Sequence, residues 1–124
     1  MIALVQYEQG KGNVELRDIA VPEIAEDDVL LEVKAAGICG SDIGFYDGEN
    51  AAILRPPVVL GNEFAGVISA VGAKVTAWKP GDRVVSDNTG HVCGACYSCS
   101  IADFLLCPQR LGLGMEWTAG SRNT

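Results

Sequence analysis

Basic residues are scarce in this sequence of 124 residues, where nine lysines and arginines stand against sixteen acidic residues and give a net charge of −7. Nucleic acids and anionic membranes bind basic surfaces, so this charge balance argues against both as partners. No run approaches the roughly 20 apolar residues that span a bilayer. The first six residues contain no basic segment, so we expect no signal peptide and a cytoplasmic, reducing location.

Histidine is almost absent, since His91 is the only one, whereas cysteine occurs five times. Apolar residues make up 48% and charged residues 20%, which is typical of one globular domain. In a reducing compartment, clustered cysteines bind metal more often than they form disulfides. Five is also an odd number, so the cysteines cannot all be paired within one chain.

Short apolar segments separated by turn residues predict a mainly β fold. The predicted strands are residues 2–7, 14–19, 29–35 and 83–86. Between them lie the apolar residues 58–60, which follow two prolines, and the small and β-branched residues 64–71. Glycines mark a turn at residues 10–13, and a Pro-Gly pair marks another at 79–82, where Gly81 takes the position that needs a positive φ angle. Residues 39–46 predict no more than one turn of helix. Many short strands joined by such turns indicate a barrel or a sandwich.

Four of the cysteines follow a spacing that favours a metal site. Cys93, Cys96, Cys99 and Cys107 form the pattern C-x2-C-x2-C-x7-C. Tetrahedral zinc is commonly bound by four such thiolates, which leave no open position and make the site structural. An iron–sulfur cluster, another metal, or a set of free thiols remain the alternatives at this point. His91 is expected to be a loop residue, because the four cysteines already complete the ligand set.

Several motifs occur together in a specific order: GICGSD at residues 37–42, GNEFAG at 61–66, KPGDRV at 79–84, and then the four-cysteine loop. In this order they resemble the zinc-dependent medium-chain alcohol and polyol dehydrogenases, most closely the sorbitol, iditol and threonine dehydrogenase group. The resemblance extends over residues 1–117. It implies a GroES-like β-barrel catalytic domain with short helical turns and a structural-zinc loop at 91–108, followed in the family by a Rossmann domain.

The same resemblance assigns roles to individual residues. Cys39 matches a ligand of the family's catalytic zinc, and Ser41 matches the hydroxyl that relays the substrate proton. Asp42 matches a carboxylate that orients the metal ligands, and Glu63 matches an acidic residue that can approach the zinc. The alternative for Ser41 and Asp42 is that they only cap the start of a helix after Gly40.

Two departures from the family pattern concern the catalytic zinc. Asn62 stands where the family has a histidine, and a neutral amide is a poor zinc ligand. Gly44 stands where many relatives have a second histidine that extends the proton relay. The remaining catalytic-zinc ligand of the family would lie beyond residue 124. We therefore expect Cys39 and Glu63 to be a weak, vestigial remnant of that site.

The sequence has no Gly-x-Gly-x-x-Gly motif of the kind that binds a dinucleotide, since Gly112-Leu113-Gly114 lacks the third glycine. The family uses NAD or NADP and small alcohols or polyols, but neither dinucleotide is expected to bind here. We expect a truncated dehydrogenase domain that is inactive alone, with an incomplete barrel and a possible homo-oligomeric state. The alternative is a free-standing zinc-binding module with a structural or interaction role.

Residues 118–124 do not continue the family pattern. Back-translation read from the third base of the Trp117 codon permits Asp-Gly-Gly-Phe-Ala-Glu-Tyr, a segment common among relatives at this point. We therefore expect this tail to be out of frame and disordered. The nucleotide sequence around and beyond the Thr124 codon tests this hypothesis.

Overall fold

The computed structural model describes residues 1–49 and 51–116. Residues 118–124, which the sequence predicts to be out of frame and disordered, lie outside the described residues. Within the described part, the strands are β1 (Ile2–Gln6), β2 (Val14–Asp18), β3 (Val29–Ala36), β4 (Val58–Val59), β5 (Phe64–Val71), β6 (Arg83–Val85), β7 (Thr89–His91) and β8 (Leu111–Gly112). The helices are α1 (Gly40–Asp47) and α2 (Tyr97–Ser100), with 3₁₀ turns at Ala51–Ile53 and Phe104–Leu106.

These strands form three separate antiparallel sheets. Their orders are β2-β1-β4, β3-β5-β6 and β7-β8. The predicted mainly β fold with short helical turns is therefore confirmed. In the described residues the sheets do not close into a barrel, which agrees with the expected incomplete barrel. None of the helices in this part of the chain has the length and apolar character needed to cross a membrane.

The two predicted turns lie where the glycines indicated. Gly10 and Gly12 have positive φ angles of 110° and 74°, and they reverse the chain between β1 and β2. Gly81 has a φ of 97°, and the amide of Asp82 donates to the carbonyl of Lys79. Such φ angles favour glycine because it has no Cβ to clash with the backbone.

The prediction for residues 39–46 was wrong, because α1 is eight residues long rather than a single turn. The helix ends at Gly48, which adopts a left-handed conformation with φ 84° and donates to the carbonyls of Gly44 and Phe45. The Phe45 side chain is almost completely buried and packs in a cluster with Leu54 and Val58. This tertiary packing stabilises a helix that local propensity alone does not predict.

The pairing of β3 with β5 places the GICGSD and GNEFAG segments side by side. Ala36, the last residue of β3, pairs with Phe64, the first residue of β5. The amide of Gly37 then donates to the carbonyl of Glu63 at 2.8 Å. The segment after β3 and the segment before β5 therefore meet, although they are more than twenty residues apart in the sequence.

An open apolar cavity of about 1690 Å³ lies between the two three-stranded sheets. Its walls include Leu4 of β1, Leu31 of β3, Phe64 of β5 and Trp78. Several of the side chains around it are partly exposed, so the two sheets do not pack into one dry core.

Candidate metal centre

Three short elements bring the four clustered cysteines together. Cys93 follows β7, Cys96 precedes the first turn of α2 in extended conformation, Cys99 lies within α2, and Cys107 follows the second 3₁₀ turn. Gly94 turns the chain between the first two cysteines with a φ of 69°. Because a left-handed residue is needed there, a glycine inside the C-x2-C segment is explained by geometry.

The four sulfurs converge on one small volume. The Sγ atoms lie 3.6 Å apart for Cys96 and Cys99, 3.7 Å for Cys107 and Cys93, and 3.9 Å for Cys93 and Cys99. All four lie within 4.8 Å of one another. Two sulfurs bound to one tetrahedral zinc at about 2.3 Å would be about 3.8 Å apart. The cysteines therefore fit a single zinc ion.

A disulfide bond and an iron–sulfur cluster of several irons fit this geometry less well than a single metal ion does. The thiols are free, and the sulfurs are far beyond the roughly 2.05 Å of a disulfide bond. A cluster of several irons would hold the sulfurs further apart, because they bind different metal atoms. Among the described residues, no other group of three or more His, Cys, Asp or Glu side chains brings its donor atoms this close.

Backbone amide groups donate hydrogen bonds to two of the four sulfurs. The amide of Cys96 donates to the Cys93 sulfur at 3.4 Å, and the amide of Cys93 donates to the Cys107 sulfur at 3.5 Å. Backbone N–H groups of Ala95 and Cys96 lower the pKa of Cys93 from 9.0 to about 6. These amide donors are a part of the site that the cysteine spacing alone does not reveal.

The pKa of the Cys99 thiol is shifted in the opposite direction from that of Cys93. Its pKa is raised to about 12, first by removal from water and then by the neighbouring Cys96 thiol. A divalent cation among the four sulfurs would hold all four as thiolates, because a coordinating thiol is deprotonated. Cys107 is the most buried of the four, with 5% of its surface exposed, and the other three are half-buried.

His91 lies at the end of β7 rather than in a loop, and it pairs with Leu111 of β8. Its side chain is exposed and does not join the cysteine cluster. The prediction of a loop position was therefore wrong, because the pairing with β8 was not visible from the sequence.

The second candidate site forms at the N-terminus of α1. The Cys39 sulfur lies 2.6 Å from Ser41 Oγ, and the Cys39 thiol donates to Asn62 Oδ1 at 3.6 Å. Asp42 Oδ2 accepts the backbone N–H of Cys39 at 2.9 Å. Asp42 therefore takes part in capping the helix, which was one of the two alternatives for this residue. A capping carboxylate can also act beside the Cys39 side chain.

The other residues of this site differ in burial. Asn62 is 5% exposed, and Asp42 Oδ1 is buried without a hydrogen-bond partner. Glu63 is exposed, and its Oε2 lies over Gly37, about 3.1 Å from where a Cβ on that glycine would be. The structure thus brings the Cys39 side chain into contact with Ser41 and Asn62, whereas the exposed Glu63 carboxylate lies over Gly37.

These residues do not fit a catalytic zinc as they stand. Zinc in a catalytic site has three protein ligands from cysteine, histidine or carboxylate side chains. In the described part of the chain, Cys39, Asp42 and Glu63 do not form a group whose donor atoms converge within 4.8 Å. The side chain facing the Cys39 sulfur is the neutral amide of Asn62.

Known proteins resemble this chain in both sequence and structure. The family model of the alcohol dehydrogenase GroES-like domain matches residues 25–122. D-arabitol-phosphate dehydrogenase of Enterococcus avium is 45% identical over 106 residues, which cover 86% of this chain and 30% of that protein. Sorbitol dehydrogenase of Halalkalibacterium halodurans is 40% identical over 116 residues, which cover 94% of this chain and 33% of that protein.

Among solved structures, a zinc-binding dehydrogenase from Sinorhizobium meliloti 1021 bound to NADP matches with a TM-score of 0.80 at 34% identity. That match covers 96% of this chain and 33% of the other. The chain therefore spans about a third of the length of the relatives it matches.

Proposed function

Because the chain belongs to the alcohol dehydrogenase GroES-like domain family, we propose that it is the N-terminal zinc-binding domain of an NAD(P)-dependent alcohol or polyol dehydrogenase. The domain comprises residues 1–117, with the structural-zinc loop at 91–108. Convergence of the four cysteine sulfurs is the observation that carries the proposal. The full-length enzyme would oxidise a CH–OH group of a small alcohol or polyol.

The proposed residue roles follow the family pattern. Cys93, Cys96, Cys99 and Cys107 would hold the structural zinc, whose charge ties the loop into one unit. Cys39, Ser41, Asp42 and Glu63 would be the remnant of the catalytic site. A zinc ion at this position, which a histidine in place of Asn62 would help to hold, would act as a Lewis acid toward the substrate oxygen, and Ser41 would relay the substrate proton. Cytoplasmic location and homo-oligomer formation are further parts of the proposal.

The names of the relatives suggest the class of substrate. One relative acts on D-arabitol phosphate and another on sorbitol. Both are polyhydroxylated chains with secondary alcohols. We therefore place the substrate of the full-length enzyme among polyols or their phosphates.

A chimera tests this proposal. Residues 1–116 of this chain would replace the matching N-terminal part of the Halalkalibacterium halodurans sorbitol dehydrogenase, either unmodified or with Asn62→His. We expect the Asn62→His chimera to oxidise sorbitol with NAD at least about tenfold faster than the unmodified chimera, because an imidazole is a better zinc ligand.

Cys39→Ser added to the Asn62→His chimera is the matched control and should abolish the gain. Circular dichroism and calorimetric NAD binding establish that each chimera is folded. A folded, zinc-loaded Asn62→His chimera that binds NAD but does not oxidise sorbitol would contradict the proposed function.

A further inference from the structure

Asn62 lies at the one position where the chain departs most from the ligand pattern of its family. We infer that this residue closes the Cys39 pocket, the space around the Cys39 sulfur beside Ser41 and Asn62, to zinc, so that any metal ion in the chain lies at the four-cysteine loop and none at Cys39. The inference rests on the proposed function, because it concerns the catalytic site of that enzyme. With Asn62 present, the metal centre of the family is replaced by a hydrogen-bonded group made of the Cys39 thiol, the Ser41 hydroxyl and the Asn62 amide.

The position of the Asn62 side chain would suit a zinc ligand, but its chemistry does not. Asn62 Oδ1 is 3.6 Å from the Cys39 sulfur. A sulfur and an oxygen bound to one tetrahedral zinc, at about 2.3 and 2.0 Å, would lie about 3.5 Å apart. The amide therefore stands where a second ligand should be, but it offers a neutral oxygen instead of a carboxylate or an imidazole.

The neighbouring groups do not compensate for the missing ligand. The Ser41 hydroxyl lies 2.6 Å from the same sulfur, too close for both atoms to be ligands of one ion. Asp42 directs one oxygen to the backbone N–H of Cys39. Glu63 is exposed, and its carboxylate lies over Gly37. Cys39 is thus the one strong zinc donor directed into this pocket among the described residues.

Burial makes the hydrogen-bonded arrangement persistent. Asn62 is 5% exposed, so little water can reach its side chain to replace the contact with Cys39. A buried polar group that loses its hydrogen-bond partner destabilises the fold, which opposes rotation of the amide away from the thiol. The pocket is therefore satisfied without a metal, apart from Asp42 Oδ1, which has no partner.

Asn62→Asp gives a sharp test because the two side chains have almost the same shape and differ in charge. The full chain is stripped of metal and titrated with Co²⁺, whose bond to thiolate absorbs in the near ultraviolet. We expect one equivalent to bind in the unmodified protein and in Cys39→Ser. We expect Asn62→Asp and Asn62→His to bind a second equivalent at least about tenfold more weakly than the first. The reason is that the Cys39 site would supply two protein ligands, whereas the four-cysteine loop supplies four.

Cys39→Ser in the Asn62→Asp and Asn62→His backgrounds should remove the second equivalent and its absorption. A second equivalent in the unmodified chain that disappears in Cys39→Ser would overturn the inference. Failure of both Asn62 variants to gain metal, with circular dichroism showing that they are folded, would overturn it as well. The first equivalent reports on the four-cysteine loop, so its absence would contradict the proposed function and not this inference.

Discussion

Gly72 shows how a single residue fixes the geometry of this fold. It follows β5, and its amide donates to the carbonyl of Asp28 at 2.8 Å. A Cβ at this position would lie 2.1 Å from the carbonyl oxygen of Ala25 and 2.5 Å from that of Glu26. Both are backbone atoms, so neither can rotate away as a side chain could. The close approach therefore requires glycine.

Gly72→Ala should destabilise the protein, because the added methyl group forces the connection before β3 away from β5. Overpacking of this kind typically costs about 1–3 kcal/mol. Gly40→Ala is the matched control, since nothing lies within 4 Å of its added Cβ, and we expect a change within about 0.5 kcal/mol. Urea unfolding followed by circular dichroism gives both values, and equal midpoints for the two variants would contradict the structural reason given for Gly72.

At the residue scale, spacing in the sequence was informative for the four cysteines because the ligands of one ion must be close along the chain or across one loop. It was also informative for Asp42, whose position three residues after Cys39 suits a helix cap. It did not predict the contact of Cys39 with Asn62. That contact depends on the register of β3 with β5 and on side-chain rotamers, which pairwise spacing does not specify.

Among the elements, the loop that carries the four cysteines has little apolar interior of its own. Between Cys93 and Cys107, Tyr97 is 78% exposed and Leu106 is 69% exposed. Its helices are only four and three residues long. Segments this short are not stable as isolated helices. A metal ion at the four sulfurs would supply the missing interactions.

Removal of metal should therefore loosen this loop selectively. Hydrogen exchange after treatment with a chelator should show faster exchange of residues 93–107, while β1 and β5 change little, because metal binding contributes directly to the stability of the loop. Exchange in Cys39→Ser, treated in the same way, serves as the control and should match the unmodified protein. Equal exchange in the loop with and without metal would contradict a structural role.

Elements defined by local chemistry were predicted more accurately than elements that depend on packing. The turns at Gly10, Gly12 and Gly81 follow from their positive φ angles. The length of α1 did not, because it depends on Phe45 packing with Leu54 and Val58. In the second half of β3, all residues from Glu32 to Ala36 are exposed, because β3 is the edge strand of an open sheet.

For the whole molecule, the periodicity of the sequence predicted a barrel or sandwich, and the family resemblance predicted a GroES-like domain. The three sheets and the match over residues 25–122 agree with that domain. The open cavity between the sheets was not predicted, because no local pattern reveals which residues of two distant sheets stay unpacked. Family membership therefore supplied the architecture that local patterns left unresolved.

This 124-residue chain alone should not bind NAD, NADP or their reduced forms. It contains no Gly-x-Gly-x-x-Gly motif, and a dinucleotide pyrophosphate typically binds at the helix N-terminus that follows such a motif. Calorimetric titration with each dinucleotide should give no heat of binding. Saturable binding to protein freed of host dehydrogenases would show that the expectation is wrong.

The zinc content of the purified chain tests the central claim most directly. Elemental analysis should find one zinc ion per chain, lost in Cys96→Ser and retained in Cys39→Ser, because only the former removes a ligand from the converged set of four sulfurs. A zinc-free protein with all of its thiols reduced and available for metal would contradict the claim that this domain is built around a structural zinc.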